Sequence, residues 1–274
     1  MPGTPVREAL DSAVVALTGA GVDTPRLDAE VLLAHALGVD RAALVVDSGR
    51  VVEGGAVRAF QDAVRRRAFD REPVAYITGV KGFRRLELAV DPRVLIPRPE
   101  TETLVEAALE ALPHGARVVD VGTGSGAIAL ALKDERPDLR VTATDVSEDA
   151  LAVARANAQR LGLDVELVLA DLLTGVGAFD AVVSNPPYVE DGAQLAPEIV
   201  RHEPSLALRA GPEGLDVLRA LVPAAAAMGA ELLAVEVGAG QAEAVQELAA
   251  AAGFTASGRR ADLAGIDRVV VAWR

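Results

Sequence analysis

An α/β fold built on a mostly parallel, doubly wound sheet, preceded by a small helical module and a β-hairpin, is the architecture this sequence predicts. Two observations carry it. From Arg117 onward, apolar runs of strand length alternate with helix-length stretches, a pattern that implies crossover connections and helices on both sheet faces. Before residue 75 the apolar spacing is helical instead.

The elements follow in order. Thr4 before Pro5 and Thr24 before Pro25 each place a hydroxyl ahead of a proline, where it can cap a helix whose first position needs no N–H. Leu27, Val31, Ala34 and His35 then share one helical face, as do Val57, Phe60, Val64 and Ala68. Arg65, Arg66, Arg67 and Arg71, with Lys81, Arg84 and Arg85, read as a solvated face or as a basic surface for a partner. Around Tyr76 to Val90 the pattern changes to alternation with Gly79 and Gly82 between apolar pieces, which predicts a β-hairpin. The expected domains are therefore a helical domain over 1–74, a hairpin linker over 75–92 and an α/β domain over 93–274. In the last of these the strands are RVVDV, VTATD, VELVLAD, FDAVVSN, ELLAVEV and RVVVAWR. Helices are expected from Ala127, after Ser147, near Leu215 to Ala227 and from Gln241.

Composition excludes several chemistries. The 274 residues contain no cysteine, which removes disulfides, thiolate metal sites and a cysteine nucleophile, and suits a reducing, cytoplasmic setting. Three histidines and no metal-ligand spacing give no support for a metal site. The opening MPGTPVREALDS has no secretory apolar run, and the alanine-rich stretch from Ala220 is cut by Pro223 and ended by Glu231, short of membrane-spanning length. The net charge of -13 is unevenly placed: the chain up to Arg85 is net +1 and the remainder net -14. So acidic a catalytic part is not expected to bind nucleic acid directly.

Ligands bind such sheets at the carboxyl ends of their strands, which directs attention to Asp120, Asp145, Asp171 and Asn185. Asp120-Val121-Gly122-Thr123-Gly124-Ser125-Gly126 follows one strand and opens a helix, where glycine lets backbone approach a nucleotide-like cofactor. Asp145 stands 19 residues beyond Gly126 and is placed to accept from a ribose. With Ala127 the loop also satisfies GxGxxA, so a dinucleotide is a possible occupant. An acid at Asp120 suits a cationic sulfonium and amino acid better than a pyrophosphate, which favours S-adenosylmethionine. Asp171 can accept from an adenine amine or cap its own loop, and Leu172 and Ile128 can line the adenine or simply pack.

Asn185-Pro186-Pro187-Tyr188 follows another strand at the same sheet end. Successive prolines donate no backbone hydrogen bonds, and Pro187 holds Pro186 extended, so the Pro186 carbonyl is free to face a ligand. The Asn185 amide oxygen adds a second neutral acceptor, and Tyr188 a flat aromatic face. Two acceptors beside a ring suit a conjugated NH2 group, either a carboxamide or a base's exocyclic amine. Holding its hydrogens while positive charge develops during attack on a sulfonium methyl needs no side-chain base.

On these residues the chain resembles the release factor glutamine methyltransferases, the HemK/PrmC family. The likeness covers the helical N-terminal module, GFRRLELAVDPRVLIPRPETETLV, DVGTGSGAIALAL, SNPPYV and VRHEPSLALRAGPEGLDVLRAL. It implies a Rossmann-like class I methyltransferase fold, S-adenosylmethionine as donor with S-adenosylhomocysteine as product, and class 1 peptide chain release factors as protein substrates, methylated on the glutamine of their GGQ tripeptide. A monomer is expected. Matching positions assign Asp120, Gly122, Thr123, Gly124, Ser125, Gly126, Asp145, Val146, Asp171, Leu172 and Asn185 to the donor. Asn185, Pro186 and Tyr188 are assigned to catalysis, and these with Pro187, Arg98, Glu100 and Thr101 to the substrate. Where the family often carries an aromatic residue, this chain has Leu172. Arg98 to Glu102 also reads as a helix start at Pro99. Alternatives are a ribosomal protein L3 glutamine methyltransferase, a nucleic-acid adenine-N6 or guanine-N2 methyltransferase, an NAD oxidoreductase and a non-catalytic binding module.

Overall fold

The computed structural model describes residues 3–47 and 49–274. The chain divides into two units, one formed by the chain up to Gly79 together with Leu195–His202, the other by Val80–Gln194 and Glu203–Arg274.

The first unit is helical. A short strand β1 (Thr4–Pro5) leads into α1 (Val6–Gly19), followed by α2 (Pro25–Leu37), α3 (Arg41–Val46), β2 (Val51–Val52), α4 (Gly54–Arg65), a π-helical turn Arg66–Asp70 and α5 (Val74–Thr78). Its core gathers Leu10, Leu17, Leu32, Leu33, Phe60 and Ile77. Neither predicted threonine cap forms. Thr4 and Pro5 are extended against Val52 and Val51 of β2, so α1 starts one residue later. The Thr24 hydroxyl donates to Asp28 Oδ1 at 2.8 Å rather than serving the backbone. The predicted face of α2 is also displaced: Leu27 and His35 are exposed, while Asp28, Ala29, Leu32 and Leu33 are buried. An internal ion pair causes this, because Arg67 Nε donates to Asp28 Oδ2 at 2.7 Å with both side chains buried. The face of α4 falls closer to expectation, with Phe60 and Ala68 buried and Val57 and Val64 partly so.

The second unit begins with the hairpin, β3 (Val80–Phe83) paired antiparallel with β4 (Leu86–Ala89). It starts later than expected, since Tyr76 and Ile77 belong to α5, which Gly79 ends at φ 76°. There follow α6 (Thr101–Ala111), β5 (Arg117–Val121), α7 (Ala127–Glu135), β6 (Arg140–Asp145), α8 (Glu148–Leu161), β7 (Glu166–Leu169) and β8 (Ala181–Ser184). Helix α6 begins at Thr101 with Glu100 as its N-cap, two residues beyond Pro99. After β8 the chain departs to form α9 (Pro197–His202) within the first unit, then returns through Glu203 to α10 (Asp216–Ala227), β9 (Leu232–Glu236), α11 (Ala242–Ala252), β10 (Ala256–Ala261) and β11 (Asp267–Trp273).

The sheet has seven strands in the order β10-β11-β9-β8-β5-β6-β7. Strands β9, β8, β5, β6 and β7 run parallel, while β11 pairs antiparallel with β9, and the polar, exposed β10 pairs antiparallel with β11. Alternate residues serve opposite faces. Val118, Val141, Val183 and Ala234 pack with the hairpin, α6 and α7; Val119, Val182, Leu233 and Val235 pack with α10 and α11. Both faces are therefore covered, and the strands read as continuous apolar runs.

The solvated-face reading holds for Arg65 and Arg85, which are exposed, but not for Arg67 and Arg71. Glu198 of α9 takes Arg67 Nη2 at 3.3 Å and Arg71 Nη2 at 2.9 Å, in the first unit. Arg65 pairs with Asp62 and Asp70, Arg66 with Glu72, Arg84 with Glu106 and Glu135, and Arg85 with Asp134. Each of these guanidinium groups already faces carboxylate.

Candidate active site

Strand β5 is flanked by β6 on one side and β8 on the other, so the chain's crossovers diverge there and open a crevice at the strands' carboxyl ends. Register keeps those ends level: Val121 lies opposite both Thr144 and Ser184, and Ser184 opposite Val235. The Asp120–Gly126 loop, Asp145, the Asn185–Tyr188 loop and Glu236 are thereby brought to one edge of the sheet.

The glycine loop is set by backbone geometry. Gly122, Gly124 and Gly126 have φ of 72°, 56° and 86°, where L side chains are strained. Added Cβ atoms at Gly122 and Gly124 would meet nothing within 4 Å, so both present bare backbone to open space. At Gly126 a Cβ would lie 2.9 Å from Leu130 Cδ1, so that glycine serves packing of α7. Gly122 N and Thr123 N both donate to Thr144 O at 2.9 Å, tying the loop to β6.

Asp120 is fully buried beneath this loop. Its Oδ2 accepts from Thr123 Oγ1 at 2.6 Å and from Ala129 N at 3.1 Å, while Oδ1 is buried without a partner. Burial pushes its pKa up to about 7 against the pull of those two donors, with the Asp145 charge adding to the rise. Asp145 accepts from Gly124 N through Oδ2 and from Ser147 N through Oδ1, both at 2.9 Å, and remains partly exposed with lone pairs to spare. The neighbouring Val146 is 53% exposed, an apolar surface facing solvent at the rim. Asp171 is exposed, and Leu172 is held at φ 51°, an uncommon conformation for a branched residue, with its carbonyl accepting from Thr144 Oγ1. Ser125 and Thr123 are buried within the loop.

On the other side of β5, Asn185 is half-buried and donates through Nδ2 to Thr101 Oγ1 at 3.0 Å. Among the described residues no donor reaches Asn185 Oδ1 or the Pro186 carbonyl. The loop is braced from below: Gln241 Nε2 donates to Tyr188 O at 3.1 Å, and Gly214 leaves room for that carbonyl, which a Cβ there would meet at 2.2 Å. The Tyr188 hydroxyl donates to Glu236 Oε1 at 3.1 Å. Burial and the Glu236 charge raise the Tyr188 pKa far above its ordinary value, so this phenol keeps its proton and is no general base.

The remaining candidates, Arg98, Glu100 and Thr101, lie at and just before the start of α6. Arg98 Nη2 donates to Glu203 Oε1 at 2.5 Å, and Glu203 Oε2 accepts from Ile96 N at 3.2 Å. The buried Glu203 therefore anchors the Ile96–Arg98 segment at the point where the chain returns from α9. Glu100 stands at the N-cap of α6, and Thr101, its first residue, is buried against the site.

Sequence reasoning overlooked Glu236 and Asn157, each looking like an ordinary residue of its strand or helix. Asn157 of α8 is fully buried; its Oδ1 accepts from Ala89 N at 2.7 Å, and its Nδ2 donates to Ala89 O at 2.9 Å and Ser125 O at 3.0 Å. It thus bolts the hairpin to the glycine loop. Asn157→Leu, which fills the space but strips these partners, is expected to destabilise the fold by about 2–4 kcal/mol, since buried peptide groups are left unpaired. Urea unfolding measures this; an unchanged midpoint would remove Asn157 from the scaffold.

Comparison with known proteins agrees with this geometry. The PrmC N-terminal domain family matches residues 8–79, and the methyltransferase small domain family matches residues 99–243. The release factor glutamine methyltransferase of Moorella thermoacetica is 44% identical over 98% of each chain. That of Deinococcus radiodurans is 48% identical over 81% of each. Among solved structures, a methyltransferase from Pyrococcus furiosus shares the fold alone, with a TM-score of 0.53 at 18% identity over 78% of this chain and 94% of that one. A chain with this sheet, this glycine loop and relatives of such identity along nearly its whole length belongs to the release factor glutamine methyltransferase family, whose members take their methyl group from S-adenosylmethionine.

Proposed function

We propose that this protein transfers a methyl group from S-adenosylmethionine to the side-chain amide nitrogen of the glutamine in the GGQ tripeptide of class 1 peptide chain release factors. The observation that carries this reading is the pair of uncharged acceptors, Asn185 Oδ1 and the Pro186 carbonyl, left without protein donors at the sheet edge that also holds the glycine loop.

The residues present fit the donor. Gly122 and Gly124 offer open backbone, Asp120 holds a buried oxygen without a partner, and Asp145 has acceptor capacity at the end of β6. Asp120 and the Gly122–Gly126 loop would hold its methionine part, Asp145 its ribose, and Val146, Asp171 and Leu172 the rim about its adenine. When bound, the donor supplies an electrophilic methyl group on a cationic sulfur.

The remaining work falls to this chain's own residues. An amide nitrogen is a poor nucleophile because its lone pair is conjugated with the carbonyl. Asn185 Oδ1 and the Pro186 carbonyl would each take one of its hydrogens, holding the nitrogen so that its lone pair can turn to the methyl and stabilising the positive charge that grows as the N–C bond forms and the C–S bond breaks. The surplus proton then leaves the nitrogen for solvent. Tyr188, kept protonated, contributes its ring face and a fixed loop. Pro187 keeps the turn extended. Proximity and alignment supply much of the rest.

The helical unit around residues 1–74 is the candidate platform for the protein substrate. Against a nucleic-acid substrate stand the acidic charge of the remainder and the arginines already paired with carboxylates. The setting is cytoplasmic and the working form a monomer in this reading. Among the described residues, no helix is long and apolar enough to cross a membrane.

Incubation with labelled donor and a class 1 release factor tests the proposal. Label is expected on the GGQ glutamine and lost when that glutamine is replaced. Label on ribosomal protein L3, or on nucleic acid with none on the factor, would overturn the assignment of substrate.

A further inference from the structure

Proline gives the Asn185–Tyr188 loop its shape and also leaves it with few ties to the scaffold, because Pro186 and Pro187 have no N–H to donate. Of the backbone groups from Pro186 to Tyr188, hydrogen bonds among the described residues hold one, the Tyr188 carbonyl, and its donor is Gln241 Nε2 at 3.1 Å. Gln241 stands 53 positions further along the chain, at the N-cap of α11. Its side chain makes no capping hydrogen bond to that helix. It is turned toward the loop instead.

The amide there works as a fork. Oε1 accepts from Gly238 N at 2.8 Å, while Nε2 also donates to Glu213 O at 3.2 Å and Gly214 O at 3.3 Å. Three carbonyls can only accept and a backbone N–H can only donate, so the amide has one workable orientation, with its NH2 toward Tyr188. Space is reserved for this arrangement. A Cβ at Gly214 would lie 2.2 Å from Tyr188 O and 2.8 Å from Gln241 Nε2, and one at Gly238 would lie 2.8 Å from Gln241 Oε1 and 3.3 Å from Tyr188 Cδ2. Glycines on two segments, ahead of α10 and after β9, thus make room for one amide and the residue it holds.

Tyr188 is pinned at two points, its carbonyl by Gln241 and its hydroxyl by Glu236. The Pro187 ring locks one of the torsions between that pinned residue and Pro186, and Pro187 also keeps Pro186 extended. A position fixed at Tyr188 is therefore passed back to the Pro186 carbonyl with few free torsions on the way. We propose that Gln241 is a positioning residue for methyl transfer, whose NH2, by holding the Tyr188 carbonyl, fixes where the Pro186 carbonyl meets the substrate amide. This rests on the reading above that the Pro186 carbonyl takes one hydrogen of that amide.

The test compares wild type with Gln241→Glu, Gln241→Lys, Gln241→Met and Asn185→Ala. Turnover and KM are measured with a release factor, donor affinity by calorimetry and folding by thermal melting. The first two variants separate the two ends of the fork. Gln241→Glu keeps an acceptor for Gly238 N and loses the NH2; Gln241→Lys keeps donor hydrogens for the three carbonyls and loses the acceptor. Gln241→Glu should lower kcat about tenfold or more, since misplacing a group by about 1 Å can cost roughly 10²-fold, with KM and donor Kd little changed. Gln241→Lys should keep most of the rate. A residue that only staples the turn after β9 predicts the reverse order, because its contact is the one with Gly238.

Wild-type turnover in Gln241→Glu alongside a disabled Asn185→Ala would overturn the role of Gln241 and leave the two-acceptor reading standing. Full turnover in Asn185→Ala would overturn that reading, and this proposal with it. Equal losses in Gln241→Glu and Gln241→Lys, a loss confined to Gln241→Lys, or losses that track donor affinity or melting temperature would reduce Gln241 to a structural residue. Should Gln241→Glu fail to fold, Gln241→Met, which carries neither donor nor charge, takes its place: wild-type turnover in that variant would sink the proposal.

Discussion

Asn185→Ala is expected to slow methyl transfer by about 10²–10³-fold, or ~2.7–4 kcal/mol, the typical cost of losing one preorganised group that stabilises transition-state charge. Among the described residues the side chain reaches one hydrogen-bond partner, Thr101 Oγ1, so its removal costs the fold little compared with the rate. Donor affinity should fall less than the rate, because the glycine loop and Asp145, which carry most of the donor's expected contacts, lie on the other side of β5 and are tied to β6. The loss should fall on kcat more than on KM, since the two acceptors matter most as charge develops on nitrogen. Single-turnover assays with a release factor check this. Unchanged turnover with intact donor binding would remove Asn185 from the chemistry.

The second large effect concerns Asp120. Its pKa in the folded protein, about 7, lies above the ordinary aspartate value of 3.8, so folding favours the protonated form. The sign follows: this contribution to stability is fully present below about pH 4 and is lost as pH rises through 7. At pH 8 the buried charge costs up to ~4 kcal/mol, three pKa units at 1.36 kcal/mol each. Asp120→Asn carries no charge at any pH, and its side-chain oxygen can still accept from Thr123 and Ala129. Relative to wild type, the variant's melting temperature should therefore climb between pH 5 and pH 8. Donor binding should move the other way. A cationic ligand favours the ionised acid, so wild-type affinity should strengthen as pH rises through 7, and Asp120→Asn should bind weakly with a flat profile. Calorimetry at pH 6 and pH 8 reads both. A wild-type affinity indifferent to pH, or a variant with equal affinity, would detach Asp120 from the donor. Retaining a residue that destabilises the empty fold is intelligible as the cost of holding a charge where function needs it.

Asn185 and Glu236 show where reading along the chain stops. Asn185 was legible because Asn-Pro-Pro-Tyr fixes its own backbone and frees a carbonyl, which is local chemistry. Glu236 was not, since ELLAVEV reads only as an apolar strand ending in an acid. Its partner is Tyr188, 48 positions away along the chain. Arg67 and Arg71 were misread for the same reason. Four arginines within seven residues suggest a solvated face, yet Arg67 is buried against Asp28, and both Arg67 and Arg71 meet Glu198, more than 120 positions away.

From sequence alone came the alternation of strand and helix, the glycine turn and the proline turn at strand ends, because side-chain periodicity and the φ preferences of Gly and Pro act over a few residues. Tertiary structure alone decided the strand order and its antiparallel edge, the return of α9 to the helical unit, and the inward turn of Asp28. It also decided the partners of Asn185. Those depend on which polar groups must find each other once water is excluded, and burial makes an unpaired group costly whatever its distance along the chain.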